Sequence, residues 1–281
     1  MEKKLVFRGM LAGLVAGVLA FLFARIFAEP QIQAAIDYES GRDAANEALE
    51  QAAGHTHEAE TELFSRAVQS NVGLGVGLIL VGIAFGALYG IIYTICLGRT
   101  GRMRPRPLAL AVAAAGFVSL FFVPFLKYPA NPPAIGDGDT IKQRSALYLL
   151  MVLVSVVGLF LALQLGKRLQ QRFGTWNATL LAAAAFVVAV GIVTFLLPPV
   201  GHLAETVNGV RHATDTPGPL LDNKGTIVFP GFPADVLAAF REYAVGAQLV
   251  LWGAIGLLFA PMAERVLSPR GSDTTAVLEK V

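Results

Sequence analysis

Residues 72–97 read VGLGVGLILVGIAFGALYGIIYTICL, an uninterrupted apolar run without a charged side chain. A helix of about 20 apolar residues crosses the roughly 30 Å of hydrocarbon in a bilayer and satisfies its backbone amides internally. The run therefore predicts a membrane-spanning helix.

Five further segments share this character, so the sequence predicts an all-α integral membrane protein with a six-helix transmembrane bundle. Basic residues precede the first segment, but the segment is longer than the about 7–15 apolar residues of a signal peptide, which predicts an uncleaved anchor. Residues 1–267 are predicted to form a single transmembrane domain, and 268–281 a polar cytoplasmic tail. The five segments are residues 7–28, 108–126, 146–166, 176–197 and 245–262.

Composition excludes several classes of protein. Only 15% of the residues are charged, whereas soluble domains carry about 25%. The net charge of +2 argues against a nucleic-acid partner. A single cysteine, Cys96, excludes a disulfide framework, and no GxSxG, HExxH or GxxxxGK[ST] motif occurs. The chain is therefore predicted to be neither an enzyme nor an ATPase.

Basic residues predict the orientation, because cytoplasmic loops of membrane proteins are enriched in lysine and arginine. With the N-terminus inside, the cytoplasmic pieces hold 13 Lys and Arg against 4 Asp and Glu, and the outer loops hold 8 against 16. Both termini are therefore predicted to be cytoplasmic. Prolines after spans one, three and five, and an arginine before spans two, four and six, also suggest three hairpin pseudo-repeats.

Two spans carry glycines at every fourth position. Such ridges allow two helix backbones to approach closely, and we interpret them as helix-packing faces. A glycine-lined permeation path is the alternative. The glycines are Gly9, Gly13 and Gly17 in the first span, and Gly82, Gly86 and Gly90 in the second.

The predicted outer loops contain all four histidines. His55 and His57 are separated by one residue and followed by Glu58, a set that offers two imidazole nitrogens and a carboxylate to cobalt, nickel or zinc. His202, in the third outer loop, is a further candidate metal ligand. An ordinary solvated polar loop explains the same residues, and this alternative stays open.

The second outer loop, residues 127–145, is rich in prolines and glycines, which predicts a folded connector at the mouth of the protein. Its candidate entrance residues are Lys127, Asn131, Asp137 and Asp139. An Asp-Gly-Asp turn that caps the next helix accounts equally well for the two aspartates.

The stretch FVPFLKYPANPP at 122–133, followed by Gly136-Asp137, resembles the hallmark of the predicted cobalt transporter subunit family CbtA. The segment from His55 to Gln69 resembles that family's first outer loop, and residues 232–235 with 248–252 resemble its final span. The resemblance implies a multi-pass bacterial or archaeal inner-membrane protein associated with cobalt supply for cobalamin synthesis. It also implies a small, single-span, histidine-bearing partner subunit, CbtB.

These observations lead to one leading hypothesis and two alternatives. The leading hypothesis is a membrane subunit of a cobalt or other divalent-metal uptake system, with the metal as substrate and no tightly bound cofactor. Its expected partners are the lipid bilayer, a CbtB-like subunit and a second copy of the chain. The alternatives are a non-transporting scaffold and a transporter of an organic solute such as a corrinoid precursor.

Overall fold

The computed structural model describes residues 1–52, 65–100, 103–133, 135–136, 138–200 and 216–267, and these are mostly helical. Each predicted span falls within a long apolar helix, to within one residue at its ends. Within the described residues, five helices are long and apolar enough to cross a membrane: Glu2–Ala52, Arg66–Cys96, Pro105–Lys127, Ile141–Leu196 and Ala234–Leu267.

The α-helices are numbered here in chain order. They are α1 Glu2–Phe23, α2 Glu29–Ala52, α3 Arg66–Val68, α4 Leu74–Cys96, α5 Pro105–Gly116, α6 Val123–Lys127, α7 Ile141–Leu196 and α8 Ala234–Leu267. Wider π-helical turns join three pairs of them. These turns are Ala24–Ala28 before α2, Gln69–Gly73 before α4 and Phe117–Phe122 before α6.

Two of the π-helical turns lie just before a proline. Pro30 follows the turn Ala24–Ala28, and Pro124 follows the turn Phe117–Phe122. Proline lacks an N–H and its ring clashes with the carbonyl four residues earlier, which ordinarily ends or kinks a helix. At both sites the helix continues past its proline after a turn of wider register.

Hydroxyl groups from α7 replace the donor that Pro124 lacks. Ser155 Oγ donates a hydrogen bond to the Ser119 carbonyl, and the Tyr148 hydroxyl lies 3.4 Å from the Leu120 carbonyl oxygen. Ser119 precedes Pro124 by five residues and Leu120 precedes it by four. A backbone N–H at position 124 would donate to the Ser119 carbonyl in a π-helix and to the Leu120 carbonyl in an α-helix. Because an unsatisfied carbonyl in hydrocarbon costs several kcal/mol, the hydroxyls explain how this helix tolerates Pro124.

The longest helix, α7, is interrupted at Gly174, where φ is 73° and ψ is 169°. This φ lies in the left-handed region, which glycine adopts without a steric penalty. The break falls in the connector predicted between spans 146–166 and 176–197. A glycine kink flanked by helix thus stands where the sequence predicted a loop.

The chain divides into two compact units. The first comprises Met1–Leu22, Gln69–Gly116 and Gln248–Val281. The second comprises Phe23–Val68 and Phe117–Ala247.

In the first unit, α1 and α4 pack antiparallel through their glycines. A Cβ on Gly13 would lie 2.0 Å from the Gly82 carbonyl oxygen, and one on Gly86 would lie 2.2 Å from the Gly9 carbonyl oxygen. At the two ends of this helix pair, Gly17 of α1 packs against the backbone of α4, and Gly90 of α4 packs against the backbone of α1. All six glycines singled out from the sequence therefore meet across one pair of helices.

Aromatic side chains attach α8 to α4 and α5 within the same unit. The Phe259 ring lies edge-on to Tyr89 and Tyr93, with ring centroids 4.9 Å apart in each pair. The Trp252 ring covers Gly116, where an added Cβ would lie 2.3 Å from it. Rings that fill the space above small residues give the close packing that membrane helices depend on.

The second unit contains two elements that the sequence analysis did not predict. Helix α2 lies in the segment interpreted as the first outer loop, and it forms because its sequence is rich in Ala, Glu and Gln, which are strong helix formers. The strands β1 Leu220–Leu221 and β2 Ile227–Phe229 form an antiparallel hairpin. Strands this short carry no usable alternation of polar and apolar residues, so the all-α prediction left them out.

Candidate functional site

Three segments of the second unit pack together into what we call the loop cap. It consists of α2, the described part of residues 128–136 (128–133 and 135–136) and residues 216–233. Each segment comes from a different one of the three predicted outer loops. The cap therefore brings together parts of the chain that are distant in sequence.

The loop cap has an apolar centre of its own. Ala35 and Tyr38 from α2 and Ile135 from the second segment are buried against Phe229 and Phe232 of the third. The Tyr38 ring centroid lies 5.3 Å from that of Phe229 and 5.1 Å from that of Phe232. Buried aromatic pairs of this kind contribute about 0.5–1.5 kcal/mol beyond their area, so the three segments hold one another in place.

Hydrogen bonds from α2 fix the third segment. The Tyr38 hydroxyl donates to the Pro230 carbonyl at 2.9 Å, and Arg42 Nη1 donates to the Gly218 carbonyl at 2.7 Å. Gly41 lies between these two donors in sequence and packs against the Phe229 ring. A Cβ added to Gly41 would lie 3.0 Å from that ring. One face of α2 thus serves as the platform for residues 216–233.

The second segment is anchored where α6 ends. Lys127 Nζ donates to the Leu197 carbonyl, and the Tyr128 hydroxyl donates to the Pro198 carbonyl, each at 2.9 Å. Burial raises the pKa of the Tyr128 phenol above its ordinary value, so this donor keeps its proton at physiological pH. Both contacts hold the chain immediately before residues 201–215.

Arg241 of α8 provides a second anchor for this segment. Its Nε donates to the Ala130 carbonyl at 3.2 Å, and its Nη2 donates to Asn131 Oδ1 at 2.9 Å. Lys127 and Asn131, two of the predicted entrance residues, therefore fasten the loop to neighbouring helices. Asp137 lies outside the described residues, as does the side chain of Asp139, whose backbone belongs to the 3-10 turn Gly138–Thr140.

A buried ion pair closes the base of α2. Glu29 is 6% exposed, and it pairs with Arg66, which begins α3. Arg66 Nε also donates to Gln33 Oε1 at 3.2 Å. The chain six residues before the second predicted span is therefore held against the residue that follows the first.

Asp222 shapes the turn of the β-hairpin. Its Oδ1 accepts hydrogen bonds from the backbone N–H groups of Thr226 and Lys224, each at 2.8 Å. These two bonds hold the pKa of the Asp222 carboxyl below its ordinary value. Gly225, with a φ of 80°, completes the turn in the left-handed conformation.

The predicted metal ligands lie outside the described residues. His55, His57 and Glu58 belong to residues 53–64, and His202 belongs to residues 201–215. In the part of the chain that the structure describes, no group of three His, Cys, Asp or Glu side chains is placed to hold a metal ion. What the structure does describe is the chain on either side of both segments.

Sequence reasoning missed most of the residues that build the cap. Tyr38, Arg42 and Phe229 carried no recognisable motif, although the spacing of Tyr38 and Arg42 by four residues would place them on one helix face. Arg66 and Arg241 were noted as basic residues before spans two and six, but their partners lie 37 and 110 residues away in sequence. Only the strong helix propensity of 29–52 was available as a signal for α2.

Comparison with known proteins gives one result. The family model named CbtA, described as a probable cobalt transporter subunit, matches residues 2–264. Comparisons with the curated proteins and with the solved structures find no match. Since the family match covers nearly the whole chain and includes the loop cap, the protein belongs to the CbtA family of probable cobalt transporter subunits.

Proposed function

We propose that this CbtA-family protein is the membrane subunit of a cobalt uptake system and receives the ion at its loop cap. In this proposal the chain crosses the cytoplasmic membrane six times, with both termini inside. The kink at Gly174 then separates spans four and five at the cytoplasmic face. The loop cap and the four histidines lie on the outer face.

One observation carries this proposal: both histidine-bearing segments begin and end at chain held by the loop cap. Residues 53–64 follow α2 and precede Arg66, which pairs with Glu29 at the base of α2. Residues 201–215 follow the anchored carbonyls of Leu197 and Pro198, and Arg42 holds Gly218 shortly after them. These anchored ends support our assignment of metal capture to the loop cap.

The chemistry near the cap suits a divalent cation. Helix α2 carries six acidic residues and one arginine, so it supplies a negative potential next to residues 53–64. His55, His57 and Glu58 would then supply nitrogen and oxygen ligands, with His202 as a fourth. Neutral imidazole is the ligand form, so capture should weaken below about pH 6.

Transport also requires an energy source and partners. The sequence has no GxxxxGK[ST] phosphate-binding loop, so we assign energy coupling to an ion gradient or to another subunit. The family description as a subunit implies partner proteins. A CbtB-like, histidine-bearing subunit and a second copy of this chain are the partners we propose.

A non-transporting scaffold would recruit another subunit through exposed faces such as the glycine ridges. In the structure those faces are occupied, because the glycines of α1 pack on the glycines of α4. This contact favours transport over a scaffold that binds its partner through these glycines. Purified protein in liposomes separates the two functions, because a scaffold gives no cobalt entry above empty vesicles even with its partner subunit present.

Cobalt uptake in cells tests the proposal. Deleting the gene should lower accumulation of radioactive cobalt at low external concentrations, and the wild-type chain should restore it. The His55→Ala, His57→Ala double variant should reduce initial uptake at least about tenfold, because disturbing the ligand environment of a metal typically costs 10–100-fold in affinity or activity.

Thr56→Ala is the matched control, because it alters the residue between the two histidines and removes no imidazole. It should keep uptake within about twofold of wild type. Unchanged cobalt accumulation in the deletion strain would refute the uptake function. Uptake that requires this chain but survives the double histidine substitution would refute capture by the HxH pair and favour the organic-solute alternative.

A further inference from the structure

We propose that the N-terminal end of α1 binds the headgroup of an anionic phospholipid. A cavity of about 450 Å³ opens at this end of the first unit. Its lining combines three basic and three apolar residues, and no acidic residue. The lining residues are Lys3, Lys4, Phe7, Arg8, Leu11 and Met262.

The basic residues supply the charge that a phosphate needs. Lys3 and Lys4 are exposed, and neither has an ion-pair partner among the described residues. Arg8 is partly buried and donates one N–H to the Met262 carbonyl, which ties α1 to α8. A guanidinium has five N–H donors, so Arg8 has further donors with which to meet a phosphate.

The apolar residues lie where the acyl chains of the same lipid would begin. Lys3, Phe7 and Leu11 follow one another at intervals of four and so form one ridge of α1. Phe7 is 59% exposed and Leu11 is 41% exposed, although both are large apolar side chains. The ridge changes from basic to apolar along its length, in the same order as a phospholipid from headgroup to tail.

The order of basic and apolar residues along this ridge indicates which ligand the cavity binds. A free anion would contact the lysines but leave the exposed side chains of Phe7 and Leu11 uncovered. A zwitterionic lipid would place its own positive charge beside the lysines. An anionic phospholipid satisfies both parts of the cavity, and basic pockets between membrane helices are known to accept such headgroups. The inference requires only that α1 enters the bilayer, and it is independent of the cobalt proposal.

Lipid binding to the full-length, delipidated protein tests the inference. Native mass spectrometry would compare phosphatidylglycerol, phosphatidylcholine with the same acyl chains, and inorganic phosphate. We expect phosphatidylglycerol to bind at least about tenfold more tightly than phosphatidylcholine. The Lys3→Gln, Lys4→Gln double variant should lose about 25-fold in affinity for phosphatidylglycerol, since each lysine near an anionic lipid contributes about a factor of five.

The control is the Arg104→Gln, Arg168→Gln double variant, which removes the same charge from two exposed residues outside the cavity. It should change phosphatidylglycerol affinity less than twofold. Arg8 stays intact in both variants because it also joins two helices. Wild-type binding by the lysine variant, an equal loss in the control, or phosphate binding without a preference for phosphatidylglycerol would each overturn the inference.

Discussion

Replacing Gly86 by alanine is expected to destabilise the protein by about 3 kcal/mol, although it adds only one methyl group. The new Cβ would lie 2.2 Å from the Gly9 carbonyl oxygen and 2.9 Å from Gly13 Cα. Both are backbone atoms, which cannot rotate away as the end of a side chain can. Helices α1 and α4 would have to separate, with a loss of the dispersion contacts that hold membrane helices together.

Gly77 on the same helix provides the control. A Cβ there meets nothing within 4 Å, and alanine is about 1 kcal/mol better than glycine in a helix. Gly77→Ala should therefore leave stability unchanged or slightly higher. Thermal unfolding of both variants in mild detergent is the measurement, and equal unfolding temperatures for the two would contradict the described contact.

A second large effect is expected from Arg66→Gln. The Glu29 side chain is 8% exposed, and Arg66 is its ion-pair partner. Removing one partner of a buried ion pair leaves an uncompensated charge, which costs about 3–5 kcal/mol. We expect a loss near the lower end of this range, because the Arg66 side chain is itself 27% exposed.

Two further variants isolate the cause of this effect. Arg106→Gln removes a pair with Glu264 whose side chains are 60% and 39% exposed, so it should cost no more than about 1 kcal/mol. The Glu29→Gln, Arg66→Gln double variant should recover much of the stability lost by Arg66→Gln alone, because it removes the orphaned charge. If the double variant is less stable than the Arg66→Gln variant, the ion pair is not the source of the effect.

Patterns that repeat along one helix allowed the membrane helices to be predicted. The length of apolar segments such as 72–97 indicates a span directly, because the thickness of the hydrocarbon sets it. The four-residue spacing of glycines on two spans similarly marks a face, and the structure places those two faces together. Neither signal requires knowledge of a residue's partner.

The loop cap depends on partners, which is why the sequence did not reveal it. Nothing near Arg66 indicates that it pairs with Glu29, and nothing near Arg241 indicates that it binds Asn131. Each arginine precedes a predicted span, yet Arg66 meets a carboxylate and a side-chain amide, whereas Arg241 meets a backbone carbonyl and a side-chain amide. The continuation of the helix past Pro30 likewise has no local signal, because a proline usually ends or kinks a helix, whereas Pro30 here follows a π-helical turn.

The proposed function requires that the loop cap and the histidine-bearing segments face the outside of the cell, where cobalt arrives. Because Cys96 is the only cysteine, a Cys96→Ala background allows single cysteines to be introduced and labelled. Thr56→Cys reports on the HxH segment, and Arg168→Cys reports on the predicted cytoplasmic connector.

The deciding measurement is labelling of both variants in intact cells with a membrane-impermeant maleimide. We expect the Thr56→Cys variant to be labelled in intact cells and the Arg168→Cys variant to be labelled only after permeabilisation. Labelling of the Thr56→Cys variant only after permeabilisation would place the HxH pair on the cytoplasmic side and refute the proposed orientation.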